Sequence, residues 1–275
     1  MSGKAAGEKR EKAASLRLDK LLAREGFGTR SELGKAIRKG RVCVNGAIVK
    51  DPGLRVSEED EVLFDQRAVL QESYVYYMLN KPAGVVSATE DSREQTVLDL
   101  LRNPSGIKYA ALGSGEDVSS GLAAEPVLRR GLFPVGRLDK DTEGLLLITD
   151  DGQLAHRLLA PGKHVDKTYY VETERPLTGE EAARLEEGVD IGEKRPTLPA
   201  RAELLPPEGE KGRLHLTIHE GKFHQVKRMI HAVGTEVTYL RRISMGNLVL
   251  PDDLPVGKAV EIDEESMKKS FTDGQ

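Results

Sequence analysis

The side chains best suited to chemistry are carboxylates gathered in one short stretch. Phe133-Pro-Val-Gly-Arg-Leu-Asp-Lys-Asp-Thr-Glu-Gly-Leu-Leu-Leu-Ile148 reads as an extended segment ending at Asp139, a tight polar turn to Gly144, and a strand apolar on both faces. A carboxylate fixed at a strand end, between Arg137 and Lys140, is suited to act as a nucleophile or a general base. The same spacing suits a turn cap or an ion pair. Asp141 and Glu143 compete with Asp139 for any functional role.

Two further stretches carry chemical side chains. In Glu220–Gly234, Val226, Met229, Ile230 and Val233 recur at i, i+3, i+4, i+7 and predict the buried face of a helix. His224, Lys227, Arg228 and His231 follow the same spacing on the other side, and Gly234 is placed as a C-terminal stop. Such a basic strip can receive phosphate or hold a carboxylate in its charged form; a solvated face is the plainer reading. In the strand Lys167-Thr-Tyr-Tyr-Val171 the adjacent tyrosines must face opposite sides, so one can be core while the other faces a cleft where its ring can stack on a base; simple packing is the plainer reading.

Other chemistries are excluded. There is no GxxxxGKS or GxxxxGKT phosphate loop, no GxGxxG after a strand, no HExxH and no GxSxG. His215 and His219 have a ligand-like i, i+4 spacing, but their context alternates with period two. On a strand they stand roughly 13 Å apart, too far for one metal. One cysteine, Cys43, rules out an internal disulfide or a multi-Cys metal site and suggests a reducing cytoplasm; mid-strand, it reads as small core filler. No stretch is apolar enough for a membrane span.

The elements that position these groups follow from charge and periodicity. The 275-residue chain carries 41 Lys+Arg against 45 Asp+Glu, for a net charge of −4. Residues 1–50 hold 13 basic against 5 acidic residues, so a basic end precedes an acidic remainder, a form that suits equally a separate polyanion-binding module and a solvated basic terminus. Within it Leu18, Leu21 and Leu22 predict one helix, with Arg17, Lys20 and Arg24 on another face; Gly26 and Gly28 break it. Thr29 and Glu32 fit a capping box opening a second helix that buries Leu33, Ala36 and Ile37 and exposes Lys35, Arg38 and Lys39. Gly40 stops it, and Val42–Val44, Asn45-Gly46 and Ala47–Val49 form a hairpin. A helix pair with aligned cations suits the phosphates of folded RNA.

The expected division is a basic extension over 1–15, the module over 16–64, a linker over 65–73, a sheet-centred α+β domain over 74–263 and a polar, frayed tail over 264–275. A Gly-, Ser- and Ala-rich loop without sustained period interrupts the large domain at 103–130.

The N-terminal pattern RLDKLLAREGFGTRSELGKAIRKGRVCVNGAIVKDPGLRV resembles the alpha-L RNA-binding domain. LNKPAGVVSATEDSREQTVLDLL, FPVGRLDKDTEGLLLITDDGQLAHRL, HVDKTYYV and LTIHEGKFHQVKRMIHAVGTEVTYLRRISMG, in that order, resemble the pseudouridine synthases, in the branch that modifies small-subunit (16S) ribosomal RNA. The resemblance implies a synthase domain on a mixed, largely antiparallel sheet flanked by helices. It implies conversion of uridine to pseudouridine without cofactor or metal, with Asp139 as the catalytic aspartate, Tyr169 as the active-site tyrosine and Lys227 as the basic partner. RNA contacts are expected from Arg17, Lys20, Arg24, Arg30, Lys35, Arg38, Lys39 and Arg41 in the module, and from Arg137, His224 and Arg228 beside the cleft. The implied partner is ribosomal RNA, free or in an assembling particle, met by a monomer. The 103–130 loop is longer than the family usually carries, and the extension before Ser15 is additional. A large-subunit synthase and a non-catalytic assembly factor are the rival readings. The KDTEG turn and SATEDSREQTV favour the small-subunit branch, and the intact Asp139, Tyr169 and Lys227 favour an enzyme.

Overall fold

Thr29 Oγ1 accepts the Glu32 N–H while the Glu32 carboxylate accepts the Thr29 N–H, the reciprocal cap foreseen from their spacing. The structure, a computed structural model, describes residues 16–57, 59–69, 74–102, 131–160 and 165–272. The chain forms two compact units divided just before Tyr74.

In the first unit a two-residue strand β1 (Leu16–Arg17) leads into α1 (Leu18–Arg24) and the capped α2 (Arg30–Arg38). Then come β2 (Val42–Val44), β3 (Ala47–Val49), β4 (Arg55–Val56), β5 (Val62–Phe64) and β6 (Arg67–Ala68). The Asn45-Gly46 turn, both residues at positive φ, sets Val42 opposite Val49. Leu18, Leu21, Leu22, Leu33, Ile37 and Val42 are almost fully buried. Each such side chain contributes roughly 1.5–3 kcal/mol of burial free energy. The unit continues past residue 64. Asp65 and Gln66 take left-handed conformations, turn the chain into β6 against β5, and bring Val69 into the core. The linker expected over 65–73 therefore starts no earlier than residue 70. Its Asp-Gln turn lacked the glycine that marks such hairpins.

The second unit runs β7 (Tyr76–Lys81), α3 (Val97–Arg102), β8 (Phe133–Pro134), β9 (Glu143–Thr149), α4 (Gly152–Leu159), β10 (Lys167–Thr173) and α5 (Gly179–Glu187). It continues with β11 (Arg201–Glu208), β12 (Lys211–Ile218), α6 (Gln225–Ala232), β13 (Val237–Met245), β14 (Leu248–Val249), β15 (Ala259–Ile262) and α7 (Glu264–Thr272). The sheet order is β11-β12-β10-β13-β9-β7-β15, with β8 beside β9 and β14 beside β13. Among the described strands every pairing in this sheet is antiparallel except β13 with β9. It is the mixed, largely antiparallel α+β fold expected.

Both faces of the sheet are covered at β7 and β9, whereas β11 is largely exposed. Tyr77, Leu79, Leu146 and Ile148 join a core with residues of α3, α5 and α6; Tyr76, Met78, Leu145 and Leu147 join another with residues of α4 and α7. Double burial explains why β7 and β9 read as unbroken apolar runs. Within the tail expected to fray, Glu264–Thr272 form the helix α7. Asp263 Oδ1 accepts the Ser266 N–H at 2.8 Å, Met267 is buried, and Phe271 packs on the second core. Two apolar residues four apart give a helix one sticky face even in a polar segment. The 1–15 extension and the 103–130 loop lie outside the described residues.

Candidate active site

Asp139 sits between β8 and β9, in a turn closed by the Thr142 N–H donating to the Asp139 carbonyl at 3.1 Å. Lys81, the last residue of β7, fixes that turn from beneath. Its fully buried ammonium donates to the carbonyls of Pro82 and Asp139 (both 3.0 Å), Thr142 (2.8 Å) and Lys140 (3.3 Å). Burial pushes the Lys81 pKa down to about 8, against the pull of Asp141, Asp139 and Glu143. On the preceding residue, Ser87 Oγ donates to the Leu138 carbonyl at 2.9 Å and accepts the Leu138 N–H at 3.1 Å. Gly144 closes the turn at φ +99, where an added Cβ would lie 2.2 Å from the Arg242 carbonyl oxygen. The carboxylate is mounted on backbone that has little room to move.

Lys227 and His224 approach Asp139 from α6. Lys227 Nζ lies 3.5 Å from Asp139 Oδ2 and 2.5 Å from Asp141 Oδ1. The shorter bond, with Lys227 as donor, holds the Asp141 carboxyl below its usual range. Asp141 is 72% exposed and Asp139 29%, so the more sheltered carboxylate has the looser grip on the shared cation. His224 is not on the helix as its spacing predicted. It precedes the first turn in a left-handed conformation (φ 48, ψ 38), which costs a residue with a Cβ on the order of 1 kcal/mol. That conformation brings Nε2 to 3.5 Å from Asp139 Oδ1 and stacks the imidazole on Phe223.

The floor of the cleft comes from β10 and β13. Tyr169 is buried and pairs with Arg242 across the strands, while Tyr170 faces the other side, against His215, Tyr239 and Glu172. Arg242 is 2% exposed; its Nε donates to the Leu145 carbonyl at 2.7 Å. Its Nη2 and Thr142 Oγ1 are buried atoms with no hydrogen-bond partner among the described residues, and both side chains line the cleft. Lys167 shares the Tyr169 face two residues earlier. Burial and then the charge of Arg242 lower its pKa. The cleft encloses about 620 Å³.

Asp139, Tyr169, Lys227, Arg137 and His224 thus line one cavity. Arg228 does not. It turns away to Glu193 and to the carbonyls of Phe223 and Ile191. His215 and His219 each face a carboxylate, Glu203 and Asp166, and neither shares a metal site. Among the described residues no group of three or more His, Cys, Asp or Glu could hold a metal ion, and no helix could cross a membrane.

In the first unit the expected RNA-contacting cations divide by partner. Buried Asp19 holds Arg17 and Arg30, each at 3.0 Å, Arg41 pairs with Asp65, and Arg24 is packed against Glu25 with only 11% of its side chain exposed. Lys35, Arg38 and Lys39 stay exposed along α2, and Lys20 is half-buried on α1. Lys81, Arg242 and Lys167 were not singled out from sequence. The signal for Lys81 was a lysine closing the apolar run Tyr76–Leu79.

Residues 75–232 match the RNA pseudouridylate synthase family, and residues 16–62 match the S4 domain. The chain belongs to the RNA pseudouridylate synthase family. This pseudouridine synthase is 45% identical over 253 residues to an uncharacterised RNA pseudouridine synthase of Bacillus subtilis, covering 92% of this chain and 97% of that protein. It is 38% identical to the ribosomal small subunit pseudouridine synthase A of Haemophilus influenzae, covering 92% and 99% of the two chains. A crystal structure of a pseudouridylate synthase, 37% identical, matches with a TM-score of 0.59 over 93% of this chain and all of that one. The synthase is therefore an isomerase acting on RNA, with an RNA-binding S4 domain at its N-terminal end.

Proposed function

We propose that this synthase converts a specific uridine of small-subunit (16S) ribosomal RNA to pseudouridine, and that Asp139 carries the reaction with ordinary side chains alone. The observation that bears the most weight is the mounting of Asp139. It is a partly sheltered carboxylate on a turn held by Lys81 and Ser87, with Lys227 and His224 within 3.5 Å and Tyr169 on the floor beside it.

The reaction breaks N1–C1′ and joins C5 to C1′; the proton leaving C5 is balanced by the one gained at N1. As the glycosidic bond breaks, C1′ becomes electron-poor. A carboxylate close to the sugar can attack it, stabilise its charge or take a proton. Lys227 keeps the carboxylate facing the cleft. Tyr169 stacks on the base and relays the C5 proton. Arg242, buried beneath the floor, adds positive charge under the base. Because the base must rotate, the nucleotide leaves its stack and enters the cavity. The S4 domain docks the RNA through Lys20, Lys35, Arg38 and Lys39, which meet phosphates.

The small-subunit target is supported by the relatives that carry that name over nearly their whole length. Mapping pseudouridines in a strain lacking the gene tests it, in the cytoplasm where ribosomes assemble. Loss of one pseudouridine from small-subunit RNA is the expected result, and loss from large-subunit RNA instead would overturn the target. Tritium release from small-subunit RNA labelled at uridine C5, free or in partly assembled particles, tests the catalysis directly.

A further inference from the structure

Phe223 has no part in the machinery described above, yet it is the most exposed large apolar side chain among the described residues, at 74%. It is not loose. Its ring lies against the imidazole of His224 with centroids 3.8 Å apart and planes 18° from parallel. Its carbonyl accepts a hydrogen bond from Arg228 Nη1 at 3.0 Å, and Arg228 is itself tied to Glu193. The left-handed backbone of His224 sets this stack in register with Asp139, 3.5 Å from the imidazole Nε2. A line of groups therefore runs from the carboxylate through His224 to Phe223 on the wall of the cleft, where the exposed Arg137 supplies positive charge.

We propose that Phe223 is the stacking platform for the nucleobase adjacent to the target uridine. A uridine that swings into the cleft deprives its neighbour of a stacking partner, and an exposed, held ring on the cleft wall replaces it. Every base has a π-face, so the platform tolerates any neighbour. Continuity with the cavity that receives the uridine, and the nearby Arg137, single out a nucleobase as the occupant. This inference rests on Asp139 marking the position of the target ribose.

The test uses the full-length enzyme and an RNA oligonucleotide spanning the modified uridine, with 2-aminopurine in place of either neighbouring base. In Asp139→Asn enzyme, one of the two probes is quenched on binding. Adding Phe223→Ala removes the quenching at saturating protein, and Phe223→Trp retains it. In otherwise unaltered enzyme, Phe223→Ala raises KM by about ten- to a hundredfold and leaves kcat within about threefold, and Phe223→Trp restores KM. Quenching that survives Phe223→Ala, or an unchanged KM, overturns the platform. Turnover by the Asp139→Asn enzyme overturns the reading of the cleft instead, so the two failures are distinct.

Discussion

The buried ammonium of Lys81 donates to the backbone carbonyl of Asp139 at 3.0 Å, so an interior strand of the sheet sets the carboxylate's position from behind. Lys81→Met strips four carbonyls of their shared donor. We expect a loss of about 2–4 kcal/mol in stability, read by urea denaturation, together with a fall in turnover. Wild-type turnover in this variant would show that the turn needs no such anchor.

The same lysine predicts a pH dependence with opposite effects on stability and activity. Its folded pKa of about 8 lies below the ordinary 10.5, so between these values the unfolded chain binds more protons. Its contribution to stability therefore rises with pH across that window. Turnover instead declines above about pH 8, as the ammonium loses a proton and a donor. A pH–rate profile with an alkaline limb near 8, alongside undiminished thermal stability, is the expected pair of results.

Asp139 and Asp141 share Lys227 but differ in shelter, which separates their predicted effects. Asp139→Asn lowers kcat by about 10⁴-fold with RNA affinity largely intact. Asp141→Asn removes an exposed ion pair, worth about 1 kcal/mol or less, and changes kcat by no more than about fivefold. Single-turnover tritium release on both variants decides it; equal losses would reassign the chemistry.

Gly144→Ala places a methyl 2.2 Å from the Arg242 carbonyl at a positive φ. The backbone of β13 must shift, and β9 loses its register with it. A destabilisation of about 3 kcal/mol or more is expected, checked by calorimetry.

Among the S4 cations, replacing Lys20, Arg38 and Lys39 by Gln reduces the slope of log affinity against log salt by about 2–3. Arg24→Gln, at a side chain already tied to Glu25, leaves the slope unchanged. Filter binding across a salt series distinguishes the two.

Much of this was legible in the sequence where local pattern decides structure. The capping box of Thr29 and Glu32, the Asn45-Gly46 hairpin and the buried face of α6 each depend on neighbours within a few residues. What stayed hidden depends on distant partners. Periodicity gives Lys227 and Arg228 the same standing, and only Glu193 and Ile191, far away in the chain, draw Arg228 from the cleft. The left-handed turn at His224 breaks the helical spacing that placed it on a basic strip. Lys81 and Arg242 act through backbone carbonyls, so side-chain patterns do not reveal what they hold. The resemblance to a family named Asp139, and the geometry shows what surrounds it.

Strand β9 alternates between two cores, with Leu145 and Leu147 facing α4 and α7 and Leu146 and Ile148 facing the opposite side. The Asp139 turn runs directly into it. Substitutions in the far core are therefore expected to reach the cleft along one strand. Lineages that remodel the C-terminal helix are expected to carry matching substitutions at Leu145 and Leu147, so that the two regions evolve as one unit despite lying more than 100 residues apart in the chain.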